Sequence, residues 1–161
     1  MSIKGTLQFP EKLIVRLVEE DTGHPVSNIA ITLTLYARKK NDYHLGPDLS
    51  DSSGTITIKG DWVRRSVEEI KSFFLMDYYS TMENCHPYVG LEVMSADDID
   101  RAIAAMELYS GVTQELGVAP SISDLRNASN YKYESQTVRV NMDNPGETVR
   151  EVLIKLRRHS A

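Results

Sequence analysis

Apolar and polar side chains alternate with period two over several stretches near the start of the chain. Leu13, Val15 and Leu17 alternate with Lys12, Ile14, Arg16 and Val18, which predicts a strand over 12–19 with one apolar and one mixed face. The pattern is clearest from Ile29 to Arg38. Ile29, Ile31, Leu33, Leu35 and Ala37 fall on one side, and Thr32, Thr34 and Tyr36 on the other. Thr55-Ile56-Thr57-Ile58 alternates again. The punctuation between these runs is chemical. Gly23 can take a positive φ and Pro25 cannot donate to a ladder, so 21–25 reads as a turn, as does Asp51-Ser52-Ser53-Gly54. Asn41 to Ser50 is polar and irregular, with Gly46-Pro47 as a breaker, and reads as a loop.

The period then changes. Val67, Ile70, Phe74, Leu75 and Tyr78 recur at helical spacing, and Ser66-Val67-Glu68-Glu69 has the form of a capping box, so a helix is expected from Ser66 to Tyr79. Tyr88 to Met94 reads as a strand. Ser95 is expected to cap a second helix whose buried stripe is Ile99, Ala102, Ile103 and Met106, with Asp97, Asp98 and Asp100 near the positive end of its dipole and Ser110-Gly111 at its close. Val112 to Asn130 reads as a loop with one short helix from Ser123. Val138, Val140 and Met142, then Val152, Ile154 and Leu156, alternate on either side of Asp143-Asn144-Pro145-Gly146, which predicts an antiparallel hairpin.

Two stretches carry a resemblance. They are Asp21-Thr22-Gly23-His24-Pro25-Val26-Ser27-Asn28-Ile29-Ala30-Ile31-Thr32-Leu33 and Ser50-Asp51-Ser52-Ser53-Gly54-Thr55-Ile56-Thr57-Ile58. Together they resemble the transthyretin-like (prealbumin-like) or carboxypeptidase regulatory-like β-sandwich, over roughly residues 13–59. The resemblance implies a β-sandwich core; with the two helices of the periodicity read as an insertion packed on it, the expected fold class is α+β. The expected plan is one domain, strand-rich over 12–59, with a helical insertion over 62–111, a loop over 112–130 and a C-terminal hairpin over 131–157. The helices depart from the family, which would run on in strands.

Composition narrows the function classes. Apolar residues make up 41% and charged residues 25%, the proportions of a globular domain. The net charge is −5, and the one basic cluster, Lys155, Arg157, Arg158 and His159, reads as a solvated strand end, so no nucleic acid is expected. No apolar run approaches the roughly 20 residues of a spanning helix, so no membrane is expected. Cys85 is the single cysteine, which excludes an intrachain disulfide, and the residues after Met1 lack an apolar signal core. Cytoplasm is the expected compartment.

Candidate chemistry is sparse. Cys85-His86 has the types of a thiol nucleophile and its base, but neighbours on a strand point to opposite faces. His24, His44, His86 and His159 lack metal-ligand spacing. Some enzymes on transthyretin-like folds bind iron through tyrosine and histidine, and Tyr36, Tyr43, His44, His86 and Tyr88 supply such types, although the family's tyrosine with a close His-x-His is absent. The related hydroxyisourate hydrolases end in Tyr-Arg-Gly-Ser, which Leu156-Arg157-Arg158-His159-Ser160 does not match. Asp42, Asp48 and Asp51 have calcium-ligand chemistry and read as a solvated acidic turn. Phe73, Phe74, Tyr78 and Tyr79 form an aromatic end to the first helix. The expectation is a non-catalytic module, without cofactor or metal, that binds a protein partner or forms a homo-oligomer, with Tyr78, Tyr79, His86 and Tyr88 as binding residues. The alternatives are a small hydrolase with a site near the 41–50 or 112–130 loop, and a small-ligand carrier.

Overall fold

A computed structural model describes residues 6–74, 81–108 and 120–159, with the side chains of residues 73 and 74 excepted. Its strands are β1 (Lys12–Glu19), β2 (Ala30–Ala37), β3 (Tyr43–Leu49), β4 (Thr55–Lys59), β5 (Cys85–Val93), β6 (Gln136–Asn141) and β7 (Val149–Leu156). Its helices are α1 (Gly60–Phe74) after β4, α2 (Ala96–Leu108) after β5, and the short α3 (Ile122–Arg126). The fold is mixed α+β with two sheets, one in the order β4-β1-β7 and one in the order β3-β2-β5-β6.

Alternation in sequence becomes layering. Leu13, Val15 and Leu17 of β1, Ile56 and Ile58 of β4, and Ile154 and Leu156 of β7 share one buried cluster with Ile31, Leu33 and Leu35 of β2 and Val89 and Leu91 of β5. The inner faces of both sheets therefore meet in a common core. A second, smaller cluster covers one end of the outer face of the four-stranded sheet. There Ala30 and Met94 meet Ile99 and Ile103 of α2 and Leu125 of α3, with Leu49, Ala102 and Met106 packed alongside. Of the expected stripe of the second helix, Ile99 and Ile103 are buried while Ala102 and Met106 are half-buried, and Ser95 caps the helix: its Oγ accepts from the Asp98 amide at 3.1 Å.

Four expectations need correction. Residues 43–49 are a strand and not a loop, because β3 pairs with β2 across a register shift that absorbs Gly46-Pro47. The first helix starts six residues earlier than Ser66, directly after β4, so Ser66 lies mid-helix and the capping box does not form there. Trp62 and Val63 already belong to its apolar pattern, and Val67 and Ile70 pack on the core. The segment over 62–111 is more than a helical insertion, since β5 runs between α1 and α2 as an interior strand of its sheet. The C-terminal hairpin is absent. β6 pairs antiparallel with β5, and β7 pairs parallel with β1 from Lys12↔Val149 to Glu19↔Leu156, so the chain crosses from one sheet to the other between them. Tyr78, Tyr79 and the expected end of the second helix at Ser110-Gly111 lie outside the described residues.

The loop over 112–130 contains more order than its composition implied. Ser121 and Asp124 form a reciprocal capping box on α3. A 3₁₀ turn then delivers Asn130, fully buried, to the start of β2. Its Oδ1 accepts from the Ala30 amide at 2.6 Å, and its Nδ2 donates to the carbonyls of Ala30 at 3.0 Å and Met94 at 2.9 Å. One side-chain amide thus does the work of a missing strand partner.

The C-terminal basic cluster is partly neutralised. Arg157 pairs with Glu20 at 3.0 Å and Arg158 with Glu19 at 3.1 Å. The Tyr133 hydroxyl and then Arg158 hold the Glu19 carboxyl below its ordinary range. No helix among the described residues is long and apolar enough to cross a membrane.

Candidate ligand cavity

β3 and β4 are edge strands of different sheets, and α1 leaves β4 without a loop. The Gly60 amide donates to the Glu11 carbonyl at 2.8 Å, and a Cβ on Gly60 would strike the Pro10 carbonyl, so only glycine fits this junction. The helix then lies against β4 and β3. Val63, Val67 and Ile70 pack on the core. The neighbouring stripe, Trp62, Arg65, Ser66 and Glu69, recurs at i, i+3, i+4 and i+7 and faces a cavity of about 500 Å³. The facing wall is apolar: Ile31 and Leu33 from β2, Leu45 from β3, Ile56 and Ile58 from β4.

The register shift in β3 decides what else lines this space. Leu45 opposes Leu33 and faces inward, and strict alternation would turn Pro47 inward next. The irregularity between Ile31 and Leu33 sets Asp48 opposite Ile31 instead, and Leu49 opposite Ala30. Directly opposed residues of an antiparallel pair share a face. Asp48 therefore stands on the cavity side of β3, exposed at the mouth, while Leu49 joins the cluster under α2 and α3. Gly46, at φ 99°, lies close to the Ile31 carbonyl at the kink. Burial raises the pKa of Asp48, partly offset by the Leu49 amide, which donates to its Oδ1 at 2.8 Å.

The residues singled out from sequence fall elsewhere. His86 and Tyr88 lie on the outer face of the four-stranded sheet with rings stacked at 5.1 Å and 16°. Tyr36 tilts against Tyr88 at 5.5 Å, and the Arg139 guanidinium sits 3.3 Å over the Tyr88 ring. The Tyr36 hydroxyl occupies the space a side chain at Gly90 would fill. His44 shares a 3.2 Å hydrogen bond with Thr34, and Tyr43 is buried in the core. The tyrosine and histidine types thus divide between two faces. Among the described residues no three His, Cys, Asp or Glu side chains converge as metal ligands. Asp42 accepts from the Ala37 amide, and Asp51 accepts from Ser53 and Thr55, so two of the three loop acids serve turns.

Cys85 and His86 point apart, as adjacent strand residues must. Cys85 is fully buried, its Sγ 3.9 Å from the Thr81 carbonyl. Burial, and then the charge of Asp42, push the thiol up to about 11. At pH 8 only about one thiol in a thousand is ionised on that basis. A disulfide reagent is expected to label the folded protein at least about tenfold more slowly than the denatured chain at that pH. Equal rates, followed by absorbance of the released thiolate, would contradict this burial.

The cavity was not legible in the sequence, because a void leaves no mark on a hydrophobic pattern. One signal was present: Trp62, the sole tryptophan, heads a stripe that also carries a serine and two charges.

Comparison with known proteins adds no family. No protein-family model and no curated protein matches the chain. Among solved structures, a 9R-lipoxygenase from Cyanothece PCC8801 aligns with 98% of this chain and 18% of its own, at 14% identity and a TM-score of 0.38. This likeness is too distant to carry an argument about fold or activity.

Proposed function

We propose that the chain is a β-sandwich domain of transthyretin-like plan that holds a small, largely apolar molecule between its sheets. The cavity carries this reading. Its volume of about 500 Å³ lies within the range of small-molecule sites, roughly 300–1,000 Å³. Its walls join Ile31, Leu33, Leu45, Ile56, Ile58 and Trp62 to polar groups on Asp48, Thr57, Lys59, Arg65, Ser66 and Glu69, and such sites draw affinity from the apolar surface and orientation from the polar groups.

What supports the transthyretin-like plan is that the two stretches carrying the resemblance meet. The Leu17 amide donates to the Gly54 carbonyl at 2.8 Å and the Val26 amide to the Leu17 carbonyl at 3.0 Å. Ser50 Oγ donates to the Val26 carbonyl and accepts from the Ile29 amide. A Cβ on Gly54, at φ 73°, would strike the Leu17 carbonyl, so both turns depend on that glycine.

Trp62 supplies the test. Titration with hexan-1-ol or cyclohexanol is expected to change its emission along a saturable one-to-one curve. A linear response with no saturation would count against a defined site. A second reading, a surface for a protein partner or a second copy of this chain, is favoured by the Tyr36, His86, Tyr88 and Arg139 cluster. Aromatic and arginine side chains dominate the energetics of such surfaces.

A further inference from the structure

Seven arginines of the chain hold a carboxylate oxygen within 3.2 Å. Arg139 is used differently. Its guanidinium lies 3.3 Å over the Tyr88 ring, and among the described residues no acid comes within ion-pairing distance of it. Tyr88 is itself braced by the stacked His86 ring and the tilted Tyr36 ring. A guanidinium laid on an aromatic face is held in one plane, and its N–H groups point outward along that plane.

Gly90 brings a second donor to the same place. Arg139 opposes Gly90 from β6, and Thr34 opposes it from β2. Opposed residues share a face, and glycine leaves this position on the outer face without a side chain. The Tyr36 hydroxyl fills it, since a Cβ on Gly90 would strike that oxygen. Among the described residues nothing hydrogen-bonds this hydroxyl. Glu92, the acid two residues along β5 from Gly90, is hydrogen-bonded to Asp98 of α2. Two strands thus deliver donors to either side of one bare backbone position, and the acid beside them is committed elsewhere.

On the face of the second reading above, and independently of the cavity, we infer that Arg139 and Tyr36 bind a carboxylate. The planar fork of arginine matches the two coplanar oxygens of that group, and such charge-assisted pairs are among the stronger hydrogen bonds. The Tyr36 hydroxyl donates to an oxygen from the other side of Gly90. A phosphate dianion fits less well, because phosphate sites usually add a helix N-terminus or a nest of amides, and this face is flat sheet with one guanidinium.

The test is calorimetric titration at pH 7 and low ionic strength with benzoate, benzamide and phenyl phosphate. Benzoate is expected to bind one-to-one, at least about tenfold more tightly than the neutral amide, and no more weakly than phenyl phosphate. Arg139→Lys keeps the charge but loses the fork, and should weaken benzoate at least about fivefold. Tyr36→Phe keeps the ring but loses the donor, and should weaken it by about threefold or more. Ser66→Phe, which fills the cavity, should leave benzoate affinity unchanged. N-acetylphenylalanine separates the two sources of such a group: binding tighter than benzoate through the same two side chains assigns the end of a peptide chain, and weaker binding assigns a free acid. No saturable benzoate binding, equal binding of benzoate and benzamide, tighter binding of phenyl phosphate, or full affinity in Arg139→Lys would each overturn the inference without bearing on the cavity. Loss of benzoate binding in Ser66→Phe alone would place the acid in the cavity and overturn it as well.

Discussion

Asn130→Ala is expected to lower the unfolding free energy by about 2–4 kcal/mol, since it strands buried backbone groups that no water can reach. Asn130 is fully buried. Its amide makes three hydrogen bonds to the backbone of Ala30 and Met94, a hundred residues away for Ala30. The Met94 amide still reaches the Ala30 carbonyl at 3.2 Å in the variant, so the heaviest loss falls on the Ala30 amide and the Met94 carbonyl. Asn130→Asp keeps the acceptor but loses both donors and adds a charge at a buried position, so it should be at least as damaging. Urea denaturation followed by far-ultraviolet circular dichroism measures the change. A loss below about 1 kcal/mol, typical of a solvent-exposed substitution, would mean that the clamp is not formed.

Ser66→Phe is expected to weaken binding of an apolar probe by more than about tenfold with a stability change within about 1 kcal/mol. Ser66 is half-buried on the cavity stripe of α1. A phenyl group there enters an existing space, so it fills the cavity without displacing a packed neighbour. Helix propensity gives no strong reason for a change, since serine and phenylalanine rank close together. Probe affinity retained in a variant that unfolds like the wild type would place the binding site elsewhere.

Much of the layering was legible because it rests on period two. β1 has the limits read from Leu13, Val15 and Leu17, and β2 and β4 differ from expectation only at their ends. The failures have specific causes. β3 was hidden because Gly46-Pro47 interrupts the alternation, and in an edge strand a kink can be absorbed without losing the pairing. The start of α1 was misplaced because Ser66 and Glu69 mimic a cap, whereas the helix begins at a glycine chosen for close packing against Pro10. The hairpin was inferred from a turn between two alternating runs. Turn chemistry does not reveal whether the next strand returns beside the last or crosses the core to the other sheet. Asp48 reaches the cavity mouth only because of the register shift, which parity counted along the sequence cannot anticipate. Asn130 was unreadable, since its partners are distant in sequence.

His86 and Tyr88 were selected for their chemistry, and the structure sets them beside Tyr36 and Arg139 on the outer sheet face. That face and the cavity lie on opposite sides of the four-stranded sheet. Their claims are therefore separable by where a ligand acts.

The most direct measurement is a methyl-resolved NMR titration with hexan-1-ol. The cavity account predicts saturable shifts confined to Ile31, Leu33, Leu45, Ile56 and Ile58, with Leu13, Val15 and Leu17 of the core unmoved. Shifts at Ala30, Ile99 or Ile103 in place of the cavity methyls, or no saturable shift at any methyl, would contradict it.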